Sequence, residues 1–437
     1  MWRMAELCLR GFLQRLRGSG ELLVWRDEVD IRYGVSRILK EHDGGPAILF
    51  ESVKGHELRV VGNVVSKRDR LMAATGASSD VELYKKLLDA CSNPLRTKPS
   101  SDGAFMEVEL SSLKELPILI HYEGDGGPYI TSGIVVARDP ETDFQNASFH
   151  RMMVIDDKRL VLRIVPRHLY RIYEKYRSAG KDAPVAVMIG CHPAVMLAAA
   201  SSPPYGVSEL HVANRLLGGR LETAMLPEVG LEVERWCEVV LVGRLLRGEI
   251  HDEGPFVDIT GTYDIVRKQP VMAVDRILVR SDAMYQALLP AGSEHRVLMG
   301  FFREALIWSY TSRVAEVKAV RLTKGGCGWL HCVISIRKAT EGDGKNVILA
   351  AFAAHPSLKM VVVVDDDIDV DDPSDVEWAV ATRFQADRDL VVIGRVRGSS
   401  LDPSADQRTL LTTKMGIDAT RTLTKPSHHF ERARIPS

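Results

Sequence analysis

The chain lacks an excess of charge of either sign. Across 437 residues, 57 Lys and Arg side chains face 58 Asp and Glu side chains, and the formal net charge is -1. Nucleic acids and anionic membrane surfaces usually select proteins with a basic excess. The composition therefore argues against both classes of partner, and any charged ligand must be met by charge placed locally.

The chain also lacks a membrane-spanning run and any cysteine pattern typical of metal sites. Its most apolar stretch, residues 185–200, is short and is interrupted by His192 and Pro193. No signal peptide is apparent. The six cysteines are scattered without a CxxC pair, which favours free thiols in a reducing compartment over a zinc knuckle. We therefore expect a cytoplasmic protein without a membrane span.

The common nucleotide fingerprints are missing as well. No GxGxxG follows a strand, and there is no Walker loop. The acidic run at residues 365–372 lacks the glycine and the terminal glutamate of a calcium-binding EF-hand loop. We interpret that run as a solvated loop that caps the helix after it.

What is present indicates a soluble α/β (α+β) protein of more than one domain. The length exceeds what one compact core usually holds, and the contents of 45% hydrophobic and 26% charged residues are ordinary for globular chains. Strand-like segments dominate after a polar loop at residues 92–103. After about residue 315, strands and helices alternate.

The hexapeptide Glu253-Gly-Pro-Phe-Val-Asp258 is the most informative local pattern. A flat strand would point residues five apart to opposite faces, but Gly254-Pro255 predicts a bend that brings both acids to one side. Arg151 lies about a hundred residues upstream. Together with the two acids it predicts a carboxylate-handling site, although spacing alone favours a structural salt bridge.

A second candidate constellation is a metal site. Asn146, His168 and Glu209 offer the oxygen and nitrogen donors that a divalent cation accepts. From composition alone, Glu238 would serve as well as Glu209.

At these residues the chain resembles the UbiD-type decarboxylases, a family of enzymes that use prenylated FMN. Asn146–Arg151 resembles the family's N-x-G-x-Y-R segment, Pro204–Glu209 its P-x-x-V-[ST]-E turn, and Glu253–Gly261 its E-G-P-[FY]-G-[DE]-x-T-G loop. Further similar motifs lie at residues 362–369, 378–383 and 414–420. The resemblance therefore runs in order along much of the chain.

The resemblance implies a split β-barrel, flavin-reductase-like domain that holds the cofactor, a linker helix and a C-terminal α/β oligomerisation domain. We expect the prenylated-FMN-binding region at 1–295, with an N-terminal subdomain to about 100 and the split barrel at about 101–295. The linker helix is expected at 296–315 and the oligomerisation domain at 316–437. A homo-oligomer is implied.

The resemblance also implies how the cofactor is held. Its phosphate is bound through a divalent metal, usually Mn²⁺, with K⁺ nearby, and a flavin prenyltransferase supplies the cofactor. Carried over, the metal ligands are Asn146, His168 and Glu209, since the turn motif prefers Glu209 over Glu238. The positions that align with cofactor-binding residues are Phe149, His150, Arg151, Arg167, His168, Ala200, Ser201 and Lys414.

For catalysis, the resemblance implies a non-oxidative carboxy-lyase acting on an α,β-unsaturated acid. The cofactor accepts electron density as CO₂ leaves. Arg151 is expected to hold the substrate carboxylate in a bidentate manner and to keep Glu253 ionised. Asp258 is expected to protonate the carbon that lost CO₂.

The departures from the family motifs concern the substrate. Ser148 replaces the usual Gly, His150 the usual Tyr, and Val257 a Gly. The compact chain resembles most the archaeal branch that converts trans-anhydromevalonate 5-phosphate to isopentenyl phosphate. His150 and the Arg163–Arg167 region are then candidates for a phosphate subsite.

Two alternatives stay open. One is a UbiD-type decarboxylase of an aromatic acid such as 4-hydroxy-3-polyprenylbenzoate. The other is a non-catalytic flavin-binding protein, against which the complete set of Arg151, Glu253 and Asp258 weighs.

Overall fold

A computed structural model describes residues 7–433 and 435. The chain divides into two compact units between Leu298 and Met299. Both units mix helices and sheets, and the predicted α/β (α+β) class is confirmed. The proposed boundaries at 100, 295 and 315 stay predictions.

The first unit carries seven of the described helices and seventeen of the described strands. The helices are α1 (Leu9–Gly18), α2 (Gly34–Glu41), α3 (Arg68–Thr75), α4 (Asp80–Ser92), α5 (His168–Ser178), α6 (Pro193–Ala200) and α7 (Glu209–Leu216). The strands are β1 (Leu22–Trp25), β2 (Ala47–Phe50), β3 (Arg59–Gly62), β4 (Val108–Leu110), β5 (Tyr129–Ile130), β6 (Ile134–Arg138), β7 (Gln145–Phe149), β8 (Met152–Val154), β9 (Arg159–Leu162), β10 (Ala183–Ile189), β11 (Thr223–Leu226), β12 (Leu231–Glu234), β13 (Val239–Glu253), β14 (Phe256–Val257), β15 (Tyr263–Asp264), β16 (Arg267–Val279) and β17 (Met284–Gln286). Helix α8 (Ser293–Thr311) follows, in the region where a helix was predicted.

The core of the first unit is a nine-stranded antiparallel sheet. Its strand order is β5-β8-β9-β16-β13-β10-β6-β7, and β4 also pairs with β16. The path is open, because no pairing joins its end strands β5 and β7 in the part of the chain that the structure describes. This is the arrangement expected of a split barrel.

Burial on both faces of the sheet explains why the sequences of the central strands are continuously apolar. Val185, Val187 and Ile189 of β10 pack with Val239 and Leu241 of β13 in one large cluster. The intervening residues of β10 are buried too, so the strand is covered on both faces and carries no polar alternation.

A smaller sheet precedes the barrel in sequence and is completed after it. Its order is β1-β2-β3-β17, and β17 pairs in parallel with β3. Since β17 follows the last barrel strand, the chain returns to its N-terminal region before α8 begins.

The second unit is a five-stranded mixed sheet with helices on both faces. Its strands are β18 (Glu316–Leu322), β19 (His331–Arg337), β20 (Met360–Asp365), β21 (Leu390–Arg397) and β22 (Leu411–Ala419), in the order β18-β19-β20-β22-β21. Its helices are α9 (Asp343–Ala354), α10 (Pro373–Arg383) and α11 (Ala386–Asp389). Alternating residues of β19 divide between two clusters: Cys332, Ile334 and Ile336 pack in the cluster of α9, and Val333 packs in that of α10.

The acidic run at 365–372 is only partly the solvated loop that the sequence suggested. Asp372 does cap α10, since its Oδ1 accepts from Ser374 N at 2.9 Å. Asp365, however, is buried, and it accepts from Arg383 Nη1 at 2.6 Å. The prediction fails at Asp365 because β20 ends there and α10 delivers a buried guanidinium to the same place.

No helix in residues 7–433 is long and apolar enough to cross a bilayer. Cys91, Cys191, Cys237 and Cys332 are buried free thiols.

Gly243 offers a test of the central β13–β16 pairing. A Cβ at Gly243 would lie 2.0 Å from Ala273 O. That oxygen is a backbone atom, so it could move away only if strand β16 moved with it. We expect Gly243→Ala to cost about 2 kcal/mol and to lower the urea midpoint of unfolding. Gly248→Ala is the matched control, because it lies on the same strand with no heavy atom within 4 Å of its Cβ. Equal midpoints for the two variants would contradict the assigned register.

Candidate functional site

Arg151 lies between β7 and β8 and is surrounded by acids. Its Nε and Nη2 donate to the two oxygens of Glu253 at 2.8 and 2.9 Å. Its Nη1 donates to Asp258 Oδ2 at 2.9 Å, and Nη2 also donates to Asp264 Oδ2 at 2.9 Å. The structure thus brings the three predicted residues together and adds a fourth.

A bend and a hairpin bring the acids to Arg151. Strand β13 ends at Glu253, and Gly254 follows with φ +106°, a backbone conformation that favours glycine. Strands β14 and β15 then form a hairpin whose turn is closed by Gly261 N donating to Asp258 O at 2.8 Å. The predicted Gly-Pro bend is therefore observed, and it aims Glu253 and Asp258 at one guanidinium.

Asp264 is the acid that sequence reasoning missed. It bridges guanidiniums, accepting from Arg151 and from Arg267 Nη2 at 2.8 Å, and its Oδ2 lies 3.8 Å from Arg163 Nε. Burial would raise the pKa of Asp264, but Arg267 and Arg151 outweigh it and lower that pKa, so the residue is a fixed anion. The available signal was the turn around Thr260-Gly261, since a hairpin there places Asp264 opposite Phe256.

The ion pairs of the cluster join equal numbers of cations and anions around two buried side chains, Arg151 and Glu253. Three guanidiniums (Arg151, Arg163 and Arg267) meet three carboxylates (Glu253, Asp258 and Asp264). Burial works against the charge of Arg151, but hydrogen bonding and the negative charge of Glu253 outweigh it and raise the pKa of Arg151. The guanidinium also lies 4.7 Å from the centre of the Phe256 ring.

The two predicted acids differ in access. The Glu253 side chain is 0% exposed and also accepts from Tyr129 OH at 3.1 Å. The Asp258 side chain is 20% exposed. Its Oδ1 accepts from Ile259 N at 2.7 Å, and its Oδ2 faces Arg151. Asp258 is thus the acid that can exchange its hydrogen-bond partner.

His295 on α8 is a further residue that the sequence did not indicate. Its Nδ1 accepts from Ala291 N at 3.2 Å, which leaves the proton of the neutral ring on Nε2. Burial lowers the pKa of His295, and the negative charge of Asp258 opposes that effect. His295 therefore lies within electrostatic reach of Asp258, at a position that no motif connects to it.

The predicted metal ligands also lie together. Asn146 Nδ2 donates to Glu209 Oε1 at 2.9 Å, and His168 Nδ1 lies 3.9 Å from the same oxygen. Glu209 is the first residue of α7, and His168 is the first residue of α5. Burial raises the pKa of Glu209, although His168 and the Ala147 N–H oppose that effect.

Glu238, the other candidate on composition, has a structural role. Its two oxygens accept from Arg10 at 2.8 Å each, and Arg280 Nη1 lies 3.2 Å away. Both acceptor oxygens are thus engaged by guanidiniums, and the geometry favours Glu209 for a metal.

Aromatic rings fix the orientation of His168. The rings of Tyr205 and Phe144 meet it edge to face, at centroid distances of 5.3 and 6.1 Å. Tyr205 belongs to the turn before α7 and donates to Asp139. The turn motif at residues 204–209 therefore supplies both Glu209 and the Tyr205 ring that packs against His168.

The other predicted cofactor contacts are distributed over both units. Phe149 and His150 immediately precede Arg151, Arg167 precedes α5, and Ala200 and Ser201 lie at the end of α6. Lys414 lies on β22 in the second unit. There its Nζ donates to Pro356 O at 2.6 Å, and burial lowers the pKa of Lys414 to about 8. Its part in binding a flavin phosphate stays a prediction.

Comparison with known proteins places this geometry in a family. Residues 13–91, 96–293 and 296–419 match, respectively, the N-terminal, Rift-related and C-terminal domains of 3-octaprenyl-4-hydroxybenzoate carboxy-lyase, the UbiD models. Proteins named anhydromevalonate phosphate decarboxylase are similar along nearly the whole chain. The one from Methanothermobacter thermautotrophicus is 46% identical over 97% of this chain and 99% of its own length. The one from Aeropyrum pernix is 44% identical over 99% and 97%.

Solved structures of the same class share the fold. The UbiD-class enzyme HmfF from Pelotomaculum thermopropionicum, in complex with FMN, superposes with a TM-score of 0.95 at 40% identity, covering 98% of this chain and 97% of that one. An evolved dimeric form of HmfF with prFMN gives a TM-score of 0.91 at 38% identity, with the same coverage. The 3,4-dihydroxybenzoic acid decarboxylase of Klebsiella pneumoniae gives 0.91 at 25% identity, covering 99% of this chain and 97% of that one.

The buried Arg151–Glu253 pair should be costly to break. Replacing Glu253 by Gln removes the charge that compensates a guanidinium only 9% exposed, and we expect a loss of roughly 3 kcal/mol in unfolding free energy. Glu109→Gln is the control, since Glu109 also pairs with an arginine, Arg276, but is 48% exposed. Chemical denaturation measures both. Equal losses of unfolding free energy in the two variants would show that burial does not increase the contribution of the Arg151–Glu253 pair to stability.

Proposed function

Because the chain belongs to the UbiD family of carboxy-lyases, we propose that it decarboxylates anhydromevalonate phosphate to isopentenyl phosphate and CO₂. The observation that carries the proposal is the buried cluster of Arg151 with Glu253 and Asp258. The substrate is supported by relatives of that name, which are 44–46% identical over nearly the full length.

The donors at Asn146, His168 and Glu209 fit a divalent cation such as Mn²⁺. Their side chains lie beside one another and contain an amide oxygen, a carboxylate and an imidazole nitrogen, and two of the three side chains are almost fully buried. Residues 7–433 contain no group of three or more His, Cys, Asp or Glu side chains placed for a metal, so the Asn146 amide is needed to complete the set. A cation there would also screen Glu209 from a flavin phosphate.

A flavin bound along β7 would join the two groups of residues. Asn146 and Arg151 are five residues apart, which corresponds to at most about 18 Å of extended chain. Asn146 would then hold the phosphate end of the flavin through the cation, and Phe149 and Arg151 would contact its ring system. Bound prenylated flavin would supply an electrophilic ring system that takes up the electron pair released as CO₂ departs.

Arg151 does not offer the substrate the bidentate edge that the sequence suggested. Its Nε and Nη2 already hold both oxygens of Glu253, and Nη2 also holds Asp264. In our proposal the substrate carboxylate therefore meets Arg151 at Nη1, where it displaces Asp258. Glu253 and Asp264 keep the guanidinium in place during that exchange.

Charge balance supports Asp258 as the proton donor. The ion pairs of the cluster hold three guanidiniums against three carboxylates, so a substrate that brings a carboxylate and a phosphate adds uncompensated negative charge. Proton uptake by the displaced Asp258 reduces that excess. The acid then delivers its proton to the carbon whose bond to CO₂ has broken.

The phosphate of the substrate needs its own cation, and Arg163 fits better than His150. Both ring nitrogens of His150 are engaged, with Ser148 Oγ at 3.1 Å and Arg163 O at 2.9 Å. Arg163 holds Asp264 only loosely, at 3.8 Å. Burial and the charges of Arg151 and Arg267 lower the pKa of Arg163, so a phosphate dianion beside it would relieve repulsion among the guanidiniums.

Three further features belong to the same proposal. K⁺ accompanies the divalent metal, and a flavin prenyltransferase in the cytoplasm supplies the cofactor. The chain acts as a homo-oligomer. The dimeric form of HmfF supports the last point.

The role of Asp258 can be tested in the reconstituted holoenzyme. Asp258→Asn keeps the volume of the side chain but removes its acid, and we expect kcat to fall by about 10²–10⁴-fold. Asp252→Asn on β13 is the control, since Asp252 is 54% exposed and pairs only with surface Lys268 among the described residues. Full turnover by Asp258→Asn would exclude the proton-donor role.

The substrate can be tested by measuring CO₂ release from a panel of acids. We expect turnover of anhydromevalonate phosphate, loss of that turnover in Arg163→Gln mainly through KM, and little turnover of the dephosphorylated acid. Turnover of 3,4-dihydroxybenzoate or a polyprenyl hydroxybenzoate, with none of the phosphate, would move the assignment to aromatic acids. Bound flavin without CO₂ release from any acid would indicate a non-catalytic protein.

A further inference from the structure

Three side chains at the end of β7 form a hydrogen-bonded row. Asn146 and Ser148 lie on one face of the strand, and His150 directly follows its last residue, Phe149. Ser148 Oγ lies 3.0 Å from Asn146 Oδ1 and 3.1 Å from His150 Nε2, and His150 Nδ1 lies 2.9 Å from Arg163 O. Ser148 and His150 are also the two departures from the N-x-G-x-Y-R motif, and they contact each other.

Counting protons shows that this row is one proton short. Arg163 O can only accept, so the His150 proton lies on Nδ1, and Nε2 must accept. Burial, with the charges of Arg167 and Arg163, lowers the pKa of His150 to about 4, so the ring carries no second proton near neutral pH. The Ser148 hydroxyl has one proton and cannot give it to both His150 Nε2 and Asn146 Oδ1.

A half-turn of the Asn146 amide resolves the conflict. Nδ2 then donates to Ser148 Oγ, the Ser148 hydroxyl donates to His150 Nε2, and His150 Nδ1 donates to Arg163 O. Each proton is used once. The same half-turn places Asn146 Oδ1 where Nδ2 was, 2.9 Å from Glu209 Oε1.

Two acceptor oxygens at that distance need a proton or a cation between them, and a divalent cation fits the spacing. Neighbouring ligands of an octahedral divalent ion, with bonds near 2.1 Å, are about 3 Å apart. His168 Nδ1, 3.9 Å from the same Glu209 oxygen, lies within the span of one such ion. The turned amide therefore satisfies every donor and acceptor of the row when a cation lies between Asn146 and Glu209.

We propose that Ser148 and His150 are positioning residues for the divalent cation: they hold the Asn146 amide with its oxygen toward Glu209. The inference rests on the metal set of the proposed function. Neither residue touches the cation. Each acts by deciding which end of one amide faces it.

Mn²⁺ binding to the full-length, FMN-loaded protein tests the proposal without turnover. Free Mn²⁺ is counted by electron paramagnetic resonance, and flavin absorbance confirms equal loading. Ser148→Ala should weaken Mn²⁺ binding by about 10–100-fold. Ser148→Thr, which keeps the hydroxyl, should stay within about threefold of the wild type. Ser132→Ala is the matched control, a buried serine whose hydroxyl donates to Gln286 O.

A double-mutant cycle tests the row as a unit. His150→Phe frees the Ser148 proton for Asn146 Oδ1 and should weaken Mn²⁺ binding by about tenfold. The double variant Ser148→Ala/His150→Phe should bind no more weakly than Ser148→Ala alone. Melting temperatures identify any variant that fails to fold, and Ser148→Thr then carries the comparison with Ser148→Ala.

Two outcomes separate failure of this inference from failure of the metal set. If Asn146→Ala binds Mn²⁺ like the wild type, the proposed metal ligands are wrong. If Asn146→Ala loses Mn²⁺ while Ser148→Ala binds within twofold of the wild type, the ligands stand and the positioning role is overturned. Additive losses in the cycle would also overturn it.

Discussion

The burial of one guanidinium is the constraint on which the rest of the site depends. Arg151 is 9% exposed, and its charge cannot be left there without compensation. Glu253 at the end of β13, Asp258 in the hairpin turn and Asp264 on β15 provide it. The bend at Gly254 and the hairpin are therefore conditions for keeping the cation buried, as well as parts of a site.

This constraint also separates the acids by role. Glu253 is held by two hydrogen bonds from Arg151 and one from Tyr129. Asp264 is held between Arg151 and Arg267. Asp258 keeps one oxygen on a backbone N–H and gives the other to Nη1. A carboxylate with a single exchangeable partner suits proton delivery, whereas anchored carboxylates suit positioning.

Strand β7 connects this cluster to the donors for a metal. Alternation along the strand places Asn146 and Ser148 on one face, His150 contacts Ser148 just beyond the strand, and Arg151 follows directly. Asn146 is met by Glu209 from α7 and by His168 from α5, so two helix starts and one strand contribute. The departures Ser148 and His150 occupy this row itself, next to the proposed metal ligand Asn146.

Much of the site could be predicted from the sequence, because motifs preserve local spacing. The bend at Gly254-Pro255 follows from a short segment whose backbone is locally constrained. The grouping of Glu253 and Asp258 with Arg151 came from the resemblance of the motifs, and the preference for Glu209 over Glu238 as a metal ligand stays a prediction. Asp264 and His295 were missed for the opposite reason. Asp264 reaches Arg151 through a hairpin register, and His295 approaches Asp258 from a helix 37 residues farther along the chain.

The sequence by itself determined the family, the mixed α/β class and the residues that carry charge, since each depends on residue type and short-range order. Only the tertiary structure decided how these charges are shared. Arg151 makes its bidentate hydrogen bonds to Glu253. Glu238 forms ion pairs with Arg10 and Arg280, and Asp365 is buried against Arg383. Partners of a buried charge are chosen by which groups the packed strands and helices leave within hydrogen-bonding distance, and spacing along the chain does not encode that distance.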